Sequence, residues 1–179
     1  PPILYADQPY TQHLNVVYAE EHGIGLLMDV FTPTGDSNGL GIIDIASGAM
    51  HSDRGKINDH KKGQFFHIMC GKGYTVFALR PGSITRFSAA DMLDHTGKGL
   101  AWIIANAETY AIDPDRLGLM GASAGGYLAC MTAVTADPDS AAAHIKAVGV
   151  FFPATDLTSF GPFKIDVRSD TEFGKTLRD

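Results

Sequence analysis

The sequence predicts an α/β fold: a mostly parallel sheet with helices on both faces and an antiparallel hairpin at its N-terminus. Three observations carry this. Short apolar runs alternate with helix-period segments along most of the 179 residues. Two early strand-like segments are separated by glycines, and a later strand runs unbroken through Gly121-Ala122-Ser123-Ala124-Gly125 into a small-residue helix. With 45% hydrophobic residues the chain can bury a substantial core, so residues 1–179 read as a single domain.

The hairpin comes first. Asn15–Glu20 and Leu26–Phe31 flank Gly23 and Gly25, and turn residues from Thr32 to Gly39 close the unit. Gly41–Ile45, Tyr74–Leu79, Leu117–Met120 and Ala147–Phe152 are short, largely apolar runs, as strands covered on both faces require. Between them lie three helical segments. Ala89–Tyr110 places Met92, Thr96, Leu100, Ile103 and Ala107 at three- and four-residue steps; Asn58–Cys70 is stopped by Gly71 and Gly73; Ala124–Thr135 ends near Asp137-Pro138. Strand–helix alternation implies right-handed crossovers between parallel strands. Pro153–Asp179 is polar and without period, and reads as a loop or an excursion.

Composition excludes several classes of function. The formal charge is −6 with no Lys or Arg run, so there is no footprint for a nucleic-acid partner. No apolar stretch approaches the ~20 residues needed to span a bilayer. Pro1–Asp7 has neither a basic nor an apolar region, so no signal peptide is visible, and the compartment stays open between cytoplasmic and secreted. Cys70 and Cys130, both in helical segments, fit buried thiols better than a disulfide. Oligomeric state is not legible.

The Ser123 segment carries the chemistry. A Ser hydroxyl becomes a useful nucleophile when it is held rigidly, exposed, and set beside a base. A sharp strand-to-helix turn does the holding, and Leu117–Leu128 has the context that G-x-S-x-G requires. Gly121 and Gly125 leave room where the strand and helix backbones nearly touch, and Ser123 is expected in a strained conformation. Ala124, at a helix N-terminus, offers a backbone N–H to a developing oxyanion. A second donor is expected from the loop after the third strand, Ala46–His51, where Gly48 and Ala49 are the candidates.

These segments together resemble the esterase/lipase branch of the α/β-hydrolase superfamily, and are similar to acetyl-xylan and feruloyl esterases. The resemblance rests on Asp29-Val30-Phe31-Thr32-Pro33, the block Ala111–Gly126, Phe152–Leu157, and Ser88–Asp94 leading into a helix with Trp102. It implies acyl transfer from a small-molecule ester to water through Ser123, with no cofactor. Two departures stand out. The family's usual His-Gly-Gly-Gly-aromatic run is replaced by Ala46-Ser47-Gly48-Ala49-Met50, and no His follows His144, although the family delivers its acid and then its His after the Ser. The base and acid are therefore expected in sequence not shown here, and the 179 residues alone are expected to be inactive and to expose a sheet edge.

Among the resident histidines, His144 sits at the wrong end of its strand, roughly 20 Å from the catalytic edge. His51, with Asp53 close enough to orient it, lies on that edge and reads as a loop residue lining the pocket or, alternatively, as a base. His95 reads as structural, beside Asp91 and Asp94 in the first turns of a helix. His60 and His67 read as satisfied helix histidines; His13 and His22 receive no role. Asp113–Arg116 reads as a turn and Asp156 as a cap. No His, Cys and carboxylate group has metal-ligand spacing, and no nucleotide fingerprint is present. Two other readings stay open: a prolyl-oligopeptidase-type serine peptidase, and a non-catalytic protein that keeps the scaffold for binding.

Overall fold

The computed structural model describes residues 8–155 and the backbone of 159–160 and 163–164. Two strands open it, β1 (Tyr10–Glu21) and β2 (Ile24–Pro33), antiparallel as the glycine-separated pattern requires. β3 (Gly41–Ile45), β4 (Thr75–Arg80), β5 (Leu117–Ala122) and β6 (Ile145–Phe151) complete a six-stranded sheet of order β1-β2-β4-β3-β5-β6. The β4-β3-β5-β6 portion is parallel. The two-residue strands β7 (Ser159–Phe160) and β8 (Phe163–Lys164) form a separate ladder. Asp156 lies outside the described residues.

Helices α1 (Arg54–Lys62) and α2 (Phe65–Gly71) cover one face; α3 (Ala89–Ala105) and α4 (Ala124–Val134) cover the other. The single helix expected over 58–70 is thus two. Gly63 ends α1, and Gln64 in the left-handed region (φ 62°) redirects the chain before α2. α3 stops short of Tyr110 because Asn106 caps it, its side chain and backbone N–H both donating to the Trp102 carbonyl. The predicted stripe of α3 is the buried one, from Met92 to Ile103, and it starts at a capping box made by Ser88 and Asp91.

The α3/α4 face holds the larger core, where Ile43, Ile45, Phe77, Leu79 and Leu119 meet Met92, Leu100, Ile103 and Leu128. On the other face Phe31 stacks on Phe66 of α2, ring centroids 3.9 Å apart, above Val76 and Ala78. The expectation of strands covered on both sides holds for β3 and β4 but fails further along. β5 alternates between buried and half-buried residues, and β6 leaves Val148 and Phe151 exposed. α1 and α2 lie over β1, β2, β4 and β3, and cavities of about 620 and 320 Å³ remain on that face along β5 and β6. Cys70 is buried, with its thiol pushed up to about 12 by burial, whereas Cys130 is only half-buried; both are free.

No described helix is long and apolar enough to cross a membrane.

Candidate active site

β5 delivers the chain to Ser123, which is exposed and sits at φ 53°, ψ −119°, a conformation sparsely populated by residues with a Cβ. Such a backbone costs of order 1–3 kcal/mol and persists where its surroundings over-determine it. Those surroundings are visible. The Ser123 N–H donates to the Phe151 carbonyl at 3.0 Å, its carbonyl accepts from Tyr127, and α4 starts at the next residue. A Cβ on Gly121 would collide with the Gly125 carbonyl, and a Cβ on Gly125 with that of Ile45. The strand-to-helix approach is therefore closed to any larger residue at these two positions.

Ala124 is the first residue of α4, so its N–H is one of the helix's unpaired N-terminal donors, aligned with the positive end of the dipole. The loop after β3 reaches the same place, because the Gly125 N–H donates to the Ser47 carbonyl at 3.0 Å. Gly48 and His51 exchange both backbone hydrogen bonds at 2.9 Å, closing a two-residue turn in which Ala49 (φ 49°) and Met50 (φ 59°) are both left-handed. The Gly48 N–H is thereby committed to His51. Ala49 has no backbone acceptor among the described residues. The turn is pinned from outside by Ile84, whose N–H donates to the Met50 carbonyl, and by Ser83, whose hydroxyl accepts from Ser52 N–H.

Among the described residues no side chain is hydrogen-bonded to the Ser123 hydroxyl. His144 bonds the Pro114 carbonyl and pairs with Asp115 at the opposite end of β5. His95 is fully buried with Nδ1 2.6 Å from the Pro81 carbonyl. His60 places Nδ1 2.5 Å from Oδ2 of buried Asp44, the orientation in which a carboxylate steers an imidazole. Sequence reading missed this pair, since sixteen residues separate partners on different elements. Asp44 lies opposite Met120, three residues and about 10 Å of strand below Ser123, and His60 makes no hydrogen bond to the Ser123 hydroxyl.

Burial lowers His60 but Asp44 outweighs it, so the imidazole is held above its ordinary 6.5. Asp44 is raised by burial, which His60 only partly offsets. A second buried carboxylate, Asp29, would also be raised by burial, yet hydrogen bonds from Arg54, the Asn15 N–H and Gln12 together hold it below its ordinary value.

The fold also gathers Glu21, Asp94 and His95, whose donor atoms lie within 4.8 Å of one another, a cluster invisible to sequence spacing. The Lys98 ammonium already bridges Glu21 and Asp94 there, so the carboxylates have a resident cation.

With this geometry established, comparison with known proteins is decisive for the family. The BD-FAE family model matches residues 28–176. The chain belongs to the BD-FAE family, an esterase-like α/β-hydrolase group. A comparison with curated proteins finds no match. Among solved structures, this BD-FAE chain is similar to vibralactone cyclase (TM-score 0.68, 20% identity, 85% of this chain and 45% of that one). It is also similar to Thermogutta terrifontis esterase 2 phosphoramylated by tabun (0.67, 18%, 89% and 62%). A third is an inhibited esterase B from Lactobacillus rhamnosis (0.59, 19%, 83% and 49%). The chain spans less than two thirds of the length of each, and the shared feature is the α/β-hydrolase fold.

Proposed function

We propose that this chain carries the nucleophile of a carboxylic-ester hydrolase that works through an acyl-enzyme on Ser123. The observation that carries the reading is the strained, exposed Ser123 between β5 and the N-terminus of α4, in a chain of an esterase-like family.

In this mechanism the Ser123 hydroxyl attacks the ester carbonyl carbon and gives its proton to a base. The carbonyl oxygen, now anionic, is met by the N–H groups of Ala124 and Ala49. Ala49 is favoured over Gly48 because the Gly48 N–H is already donated to His51. Collapse of the tetrahedral adduct expels the alcohol with the proton held by the base; water then attacks the acyl carbon and releases the acid. His51 lines the approach to the turn. The base and its orienting acid are assigned to residues other than those described, and residues 1–179 by themselves are expected to turn over no ester. The partner is a small-molecule ester, and no cofactor takes part.

A fluorophosphonate probe tests the assignment, because it reacts with activated serines. Mass spectrometry of the full-length gene product should find the adduct on Ser123, absent in Ser123→Ala; an unlabelled wild-type protein refutes the enzyme reading. Turnover of p-nitrophenyl acetate by residues 1–179, abolished by Ser123→Ala, would overturn the claim that this stretch lacks its base.

A further inference from the structure

Helix α1 is a polar element. Of its nine residues only Ile57 is buried, so apolar packing holds it weakly, and its hold on the sheet comes from charges. Asp29 of β2 and Asp44 of β3 both stand opposite Ala78 of the intervening β4. The two buried carboxylates therefore share one cross-strand row on the α1 face, about 10 Å apart across two strand spacings. Arg54 and His60, six residues apart, are separated by about 9 Å of helix axis. One short helix thus satisfies both acids. Arg54 grips Asp29 with two bonds of 2.6 and 3.0 Å, and His60 meets Asp44 at 2.5 Å. Lys61 adds a bond to Gln12, which itself donates to Asp29.

α1 is also the far anchor of the loop that carries Ala49. Asp53 caps α1 by accepting from Gly55 N–H, and the loop's near end is fixed on β3, where the Ala46 N–H donates to the Leu79 carbonyl. The turn at Ala49 and Met50 is suspended between these anchors with two left-handed residues and no glycine between Gly48 and Ser52 to absorb a shift.

We propose that Arg54 and His60 are positioning residues for the ester-hydrolase reaction: by pairing with Asp29 and Asp44 they fix where the Ala49 N–H stands relative to Ser123, and the Asp44–His60 pair makes that setting pH-dependent. The inference rests on the roles proposed above for Ser123 and Ala49. The groups facing His60 are Asp44 from β3 and Asp59 on α1, both favouring the imidazolium. α2, β5 and β6 present only Phe65, Met69, Met120 and Phe151 and their apolar neighbours to the same cavity. The tether is intact below the ordinary histidine value of 6.5 and is lost as pH rises through the raised one. Asp44 is then a buried carboxylate facing a neutral partner, while Arg54 stays charged and the loop loosens at one anchor.

The test combines kinetics with amide exchange in the full-length gene product. Wild-type kcat should fall on an alkaline limb above pH 6.5. His60→Gln should lower kcat at neutral pH about tenfold with KM within about twofold, remove that limb, and speed amide exchange across residues 46–53 about tenfold. The double variant Asp44→Leu with His60→Leu replaces the pair by apolar contact, and should keep slow exchange and kcat within about threefold of wild type, with the limb gone. Wild-type kinetics and loop exchange in His60→Gln overturn the proposal. If Ser123 takes no fluorophosphonate, the ester-hydrolase reading falls separately. Exchange then decides the tether alone: faster in His60→Gln supports it, unchanged overturns it.

Discussion

Replacing Ser123 by Gly should stabilise the protein while abolishing its labelling by a fluorophosphonate. The Ser123 side chain is exposed and makes no helix-cap hydrogen bond, so removing it forfeits no contact. The backbone at φ 53°, ψ −119° carries about 1–3 kcal/mol of strain that a glycine releases. Against this stands the extra freedom of glycine in the unfolded chain, roughly 0.5–1 kcal/mol. The net gain is about 1.25 kcal/mol at the centre of these ranges, with ends at about 0 and 2.5, or roughly 0.6 M in urea midpoint at an m-value of about 2 kcal/mol/M. Ser123→Ala is the control, since alanine keeps the Cβ and hence the strain; it should unfold within about 0.5 kcal/mol of wild type. Urea unfolding followed by tryptophan fluorescence measures both. A glycine variant no more stable than the alanine variant refutes the claim that the turn at Ser123 stores strain.

Gly125→Ala drives a methyl into the Ile45 carbonyl and should destabilise by about 1–3 kcal/mol and suppress Ser123 labelling, read by denaturation and probe adduct. Asp29 is held below its ordinary 3.8 by Arg54, Asn15 and Gln12 against burial, so its contribution is present above that value and lost as pH falls through the depressed one; Asp29→Asn should flatten the acid limb of a stability–pH curve, and an unchanged limb refutes it. Cys70, buried and with its thiol pushed up to about 12, should resist iodoacetamide at pH 8 until the protein unfolds, while half-buried Cys130 reacts first; equal rates in the native protein contradict this.

Where one face of an element meets a continuous core, its pattern was legible. α3 shows its stripe from Met92 to Ile103 because that stripe is what the sheet buries, and β3 and β4 read as largely apolar runs because both faces are covered. The turn at Ser123 was legible because a Cβ at Gly121 or Gly125 would run into backbone, which confines both positions to glycine. α1 was not. Its residues have no apolar period, since its partners are two acids buried on other strands, and long-range ion pairs leave no trace in local spacing. The break at Gln64 was equally silent, because a single left-handed residue merges two short helices in any window of helical length. For the same reason Asp29 was read only as part of a family segment, and nothing in local spacing marked Asp44 as a buried anion.

The charged docking of α1 accounts for a feature of the loop that composition alone leaves odd. A loop that needs two consecutive left-handed residues is ordinarily built with glycine, which adopts them without strain but also wanders in the unfolded and open states. Ala49 and Met50 adopt them with a Cβ each, at a cost of order 1–3 kcal/mol apiece. That cost is tolerable only if the neighbours fix the turn more strongly than it resists. Hydrogen bonds from Ile84 and to Ser83 fix its outer side, the Gly125–Ser47 bond ties its inner side to α4, and two buried carboxylates hold the helix into which it runs. A stiff loop in place of a flexible one moves the free-energy cost of presenting an N–H from the moment of reaction to the moment of folding. Preorganisation of this kind is what the oxyanion donor proposed at Ala49 requires; the anchors of its loop include ion pairs, through which the role proposed for His60 couples proton concentration to the loop.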